Sequence, residues 1–165
     1  MTTMPWMTFA RAQLGVREAA GPENNPRILS WAQKLGVRVL GIPYVDDTRQ
    51  PWCGLFCAYA VAAAGLRPPA LPVRARQWAL WGEETEPCEG AVLVFERGSG
   101  AGHVGFYEAE RPDAFLVLGG NQSDAVTRAW IPKNRLMTAR WPHGHPRTKP
   151  VLLDDSLALL SRTEA

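Results

Sequence analysis

The stretch PWCGLFCAYAVAAAGL, residues 51–66, sets Cys53 behind a Pro-Trp pair at the head of an apolar run. A helix is expected from about Cys53 to Ala64, closed by Gly65. Cys53 then sits at the helix N-terminus, where the helix dipole lowers a thiol pKa and favours the nucleophilic thiolate. Pro51 and Trp52 fix the approach of the chain, and Gly54 leaves room beside the sulfur. Cys57 lies one turn further in, beside Phe56, Tyr59 and Ala60, and reads as buried and inert. Without a base within reach, Cys53 would be no more than a small apolar side chain as well.

The candidate base is His103 in GAGHVGFYEAE. HVGFYEA and AFLVLGGN flank ERPD, which suits a hairpin turn. Pairing Tyr107 near Leu116 places His103 opposite Gly120 or Asn121, and directly opposed residues in an antiparallel pair share a face. Asn121 is therefore expected to accept from the imidazole and hold its orientation. Nucleophile, base and orienter are the three roles of a thiol acyl-transfer site, here Cys53, His103 and Asn121. Trp52 is expected to wall the cleft, and Gln122 and Asp124, next to the third position, to touch substrate.

The elements that must position these residues change character along the chain. Residues 4–14 carry Met4, Met7, Phe9, Ala10 and Leu14 at helical spacing before Gly15. NNPRILSWAQKLG predicts a helix with Asn25 as cap, Pro26 at its first position and Gly36 as its end. GIPYVDDTRQP reads as a loop and VRARQWALWG as a short fourth helix. After Gly90, AVLVFE, HVGFYEA, AFLVLGG, AVTRAWI and LMTARW are short, rich in β-branched or aromatic residues and separated by turn formers. Helices first and strands afterwards predict an α+β fold with an antiparallel sheet. Residues 1–142 are read as one catalytic domain and 143–165 as a tail, with VLLDDSLALL a candidate docked helix.

Composition narrows the function classes. The chain has 165 residues, enough for one domain with a core. A net charge of +2 with no block of Lys or Arg gives no case for nucleic acid. Three cysteines, spaced by four and thirty-one residues, match no zinc signature and cannot all pair, so free thiols are expected. Asp46-Asp47 lack calcium-loop spacing, and His143 and His145 have no ligand-spaced partner, so neither metal nor cofactor is called for. Glu18 either braces the site or caps a turn. Of the seven tryptophans, Trp31 and Trp78 fall at core positions. No apolar run reaches the ~18 residues of a membrane span. The N-terminus lacks a secretory signal pattern, so synthesis in the cytoplasm is expected, and any work outside would need a different exit route.

PWCGLF, GHVGFY and LGGNQSDAV, in this order, resemble the CHAP group of cysteine, histidine-dependent amidohydrolases and peptidases. A small subgroup is more similar still, through G-x-x-E (15–18), N-P-x-I (25–28), D-D-T (46–48), P-W-C-G (51–54), G-H-V-G-F-Y (102–107) and G-G-N-Q-S-D (119–124). The resemblance covers about residues 5–141. It implies a papain-like fold, with Cys53 as nucleophile, His103 as base and Asn121 as third member. It also implies a peptidoglycan hydrolase that cuts an amide, either an N-acetylmuramoyl-L-alanine amidase or a stem-peptide endopeptidase. The implied partner is a stem peptide or muropeptide. A phage endolysin or a delivered antibacterial effector would suit that reading, and an effector would require an immunity protein. Two rivals stand beside it: a cytoplasmic thiol amidase, deamidase or transferase that uses the same triad on a non-wall substrate, and an inactive binding module on the same fold.

Overall fold

The computed structural model describes residues 4–18, 25–44, 51–98 and 100–153. Three α-helices come first: α1 (Pro5–Arg11), α2 (Pro26–Leu40) and α3 (Cys53–Ala63). A 3-10 helix (Ala75–Leu80) follows in place of the expected fourth α-helix. The strands are β1 (Glu83–Glu84), β2 (Val92–Glu96), β3 (Gly102–Arg111), β4 (Ala114–Gln122), β5 (Ala125–Pro132) and β6 (Leu136–Trp141). They form one antiparallel sheet in the order β1-β6-β2-β3-β4-β5, an α+β arrangement. Each of the five expected strands is present; the two-residue β1 carries no alternation by which to find it.

Local chemistry explains the helix ends. Asn25 caps α2 by accepting from the Arg27 N–H at 2.7 Å, with Pro26 at the first helical position. Gly36 leaves the helical region (φ 81, ψ 160), as expected of a stop, but a second helical piece runs on to Leu40 before Gly41 turns left-handed. Helix α3 is apolar on every side, and eight of its eleven residues are buried. Such a helix belongs inside a protein. It packs against β3 and β4 on one side and α1 and α2 on the other.

The core between helices and sheet is rich in aromatic rings. Trp6, Trp31, Trp52, Trp78 and Trp141 are fully buried there. Trp31 lies 6.0 Å from Trp52 and 5.8 Å from Phe56, within the usual range of aromatic pairs. The segment after β6 is bonded to the body: Trp141 Nε1 donates to His145 O at 2.9 Å and the Glu89 N–H to Lys149 O at 3.1 Å. Beyond the end of β2, the backbone of Glu110 on β3 exchanges hydrogen bonds with Val151 and Leu153, each 2.8 Å long. The candidate helix in VLLDDSLALL lies mostly outside those residues, as do Asp46 and Asp47 entirely.

Candidate active site

Cys53 is the first residue of α3, as its place in the sequence predicted. Its side chain is 2% exposed, yet it lines a cavity of about 470 Å³ together with Ile42, Val73 and Gly102. The thiol meets the backbone N–H groups of Val104, Gly54 and Cys53 itself. Gly54 is required here by close packing: a Cβ at that position would lie 2.1 Å from Pro72 O.

Burial dominates the thiol's acidity. It pushes the Cys53 pKa up, against the N–H of Val104, the N–H of Gly54 and the positive charge of Arg97. The expectation of a resting thiolate is thereby corrected: desolvation outweighs the helix terminus. Cys57 is raised well above its ordinary value, by burial first and by its neighbour Cys53 second. That agrees with its reading as an inert core residue.

His103 stands on β3, directly across the ladder from Phe95 on β2, with ring centroids 6.5 Å apart. Its Nε2 lies 2.9 Å from Gln122 Oε1. The Gln122 amide is fixed at its other end, where Nε2 donates to Val117 O at 3.1 Å and Thr127 O at 2.8 Å. Two carbonyl acceptors define which end is nitrogen, so the amide oxygen faces the ring. The imidazole must then carry its proton on Nε2, which leaves Nδ1 as the basic nitrogen. That Nδ1 is buried and makes no hydrogen bond to a described residue, the Cys53 thiol included.

The expected ring partner, Asn121, is displaced by its neighbour. Between Gly119/Thr127 and Gln122/Ala125, β4 carries one more residue than β5. An extra residue reverses the alternation of faces. Asn121 takes up the irregularity with a left-handed φ of 57°. Gln122 therefore shares the face of Gly119 and reaches His103. Buried in this way, Gln122 is a partner of His103 and does not line the cavity. The amide beside the third position was visible in the sequence, but the irregularity that selects it was not.

The other two expected substrate contacts, Trp52 and Asp124, stand outside the cavity lining. Trp52 is fully buried, because its ring lies against Gly120 and its Nε1 donates to Glu18 Oε1 at 2.7 Å. The reading of Trp52 as a cleft wall did not include this bond. Asp124 is exposed in the turn after β4, with φ 59°, and is absent from the cavity lining. Its backbone oxygen accepts from the Glu18 N–H at 2.9 Å, so the segment ending in Glu18 ties the β4–β5 turn to Trp52.

The His103 pKa is lowered to about 4. Burial is the largest cause; the Gln122 hydrogen bond opposes it, and the charges of Arg97 and Arg135 add to it. Near neutral pH the Cys53 thiol and the His103 imidazole are therefore both uncharged. Among the described residues no group of three or more His, Cys, Asp or Glu side chains is placed to hold a metal ion. No described helix is long and apolar enough to cross a membrane.

No protein-family model matches the chain, and no curated protein matches it. Among solved structures, the chain is similar to a protein from Staphylococcus aureus described as similar to a lipoprotein of the NLP/P60 family, at 19% identity and a TM-score of 0.42. The likeness covers 76% of this chain and 45% of that one, so the chain spans less than half of that lipoprotein's length.

Proposed function

We propose that the chain is a thiol hydrolase that cleaves an amide of peptidoglycan, either the bond joining glycan to stem peptide or one within the peptide. The observation that carries the chemistry is a buried, unpartnered His103 Nδ1 whose ring is oriented from behind by Gln122, with Cys53 at the mouth of α3. The choice of a wall peptide rests on the motif resemblance across residues 5–141.

In this reading the Cys53 sulfur attacks the amide carbonyl as His103 Nδ1 takes the thiol proton. The developing oxyanion is met by the Cys53 N–H at the start of α3, a type of donor worth roughly 3–4 kcal/mol. The C–N bond then breaks and His103 gives its proton to the leaving amine. Water, deprotonated by His103, attacks the thioester, and the C–S bond opens to restore the thiol. Gln122 cannot become charged, so its role is to hold the tautomer and the ring.

The test is digestion of purified muropeptides with product analysis by mass. New fragments carrying one added water across an amide are expected, and Cys53→Ala should lower their rate on the order of 10⁴-fold or more. Undiminished cleavage by that variant ends the thiol mechanism. Intact muropeptides, with Cys53-dependent cleavage of other amides, would move the reading to the non-wall amidase.

A further inference from the structure

We infer that the substrate carries a free carboxylate close to the scissile amide, and that Arg74 and Arg76 receive it in the cavity beside Cys53. This rests on the thiol mechanism proposed above. The cavity's described walls are apolar at Ile42, Val73 and Ala75 and cationic at Arg74 and Arg76, with no carboxylate among them. Among the described residues, neither of these two guanidinium groups joins an ion pair, whereas Arg11, Arg111, Arg128 and Arg147 all do. Arg76 is held in place by donating from Nε and Nη2 to Ala101 O, at 3.3 and 3.1 Å, on the cavity wall.

The same sign of charge reaches Cys53 and His103. Arg97 acts on both Cys53 and His103, and Arg135 on His103. Arg135 is itself tethered through Nε to Glu96 O at 3.0 Å. A cleft with low-dielectric walls and one sign of charge concentrates ligands of the opposite sign. A guanidinium also offers a planar fork that matches a carboxylate. The chemistry selected is thus a peptide amide with a neighbouring free carboxylate, in preference to its carboxamide counterpart.

Two alkylating probes of similar size, anionic iodoacetate and neutral iodoacetamide, test the charge without knowledge of the substrate. Modification of Cys53 is followed by peptide mass analysis on the full chain. The ratio of iodoacetate to iodoacetamide rates at Cys53 should exceed that of a small free thiol on the order of tenfold, and should fall with added salt. It should drop towards the free-thiol ratio in Arg74→Gln/Arg76→Gln and invert in Arg74→Glu, which leaves the Ala101 tether intact. A ratio equal to the free thiol's, or unmoved by these substitutions, overturns the inference. A matched pair of wall peptides, one with the carboxylate free and one amidated, separates the two proposals. Equal cleavage of both sinks the carboxylate preference and keeps the hydrolase. Cleavage of neither, with the iodoacetate preference intact, sinks the wall substrate and keeps the anion-selective cleft.

Discussion

The two ends of the β3–β4 hairpin use polar groups in opposite ways. At the turn end, each charge meets a partner. Arg111 Nε donates to Asp113 at 2.8 Å, Lys133 pairs with Glu110, and the Tyr107 hydroxyl donates to Glu110 at 2.6 Å. At the open end, His103 and Gln122 form a neutral pair, and one ring nitrogen is left without a hydrogen bond. A buried polar atom without a partner costs about 1–3 kcal/mol. The same strands thus hold a satisfied network at one end and an unfilled valence at the other.

The sharpest way to break this contrast is to remove the orienter. Gln122→Ala should lower kcat about 10²-fold by freeing the ring, while Asn121→Ala, one residue away, should leave kcat within about twofold. Steady-state kinetics on the muropeptide substrate decide it; the reverse ranking would restore Asn121 as the ring's partner.

Acid probes the same end through stability. The folded His103 pKa, about 4, lies below the ordinary 6.5, so the unfolded chain binds more protons between those values. His103's contribution is complete above about pH 6.5 and is lost as pH falls through about 4, a change of roughly 3 kcal/mol. Urea midpoints at pH 7 and pH 4 should show that loss, and His103→Gln should flatten this part of it. The same protonation removes the base, so activity should collapse on the acid side near pH 4.

Space at the open end is the next lever. A Cβ on Gly119 would lie 2.4 Å from Gln122 Oε1 and 3.4 Å from His103 Nε2. Gln122 is held by three further acceptor contacts, so it has little freedom to retreat. Gly119→Ala should cost about 2 kcal/mol in thermal or urea unfolding and lower kcat at least tenfold. The smallest effect belongs to the turn end, where Lys133→Ala should cost about 1 kcal/mol or less of stability and leave kcat unchanged.

This contrast also marks how far the residues could be read without coordinates. The helix that Cys53 opens and the strand that carries His103 were both legible, one by its apolar run and the other after a glycine-rich turn. The strands were legible because alternation and turn residues are local properties. Gln122 was not, because a one-residue excess in β4 has meaning only against the length of β5 beside it. Trp52 was misread for a related reason: its burial depends on the missing side chain of Gly120 and on Glu18, both distant in sequence. Thiol acidity escaped as well, since depth of burial is set by the whole fold.

The backbone exchange between Glu110 and residues 151–153 has a consequence for life in a crowded solution. Where β2 stops short, the flank of β3 would otherwise offer bare N–H and C=O groups to any passing extended chain. The segment that returns after Trp141 occupies those groups. It acts as a guard against strand-to-strand association between copies of this protein, a service to solubility that no catalytic residue performs.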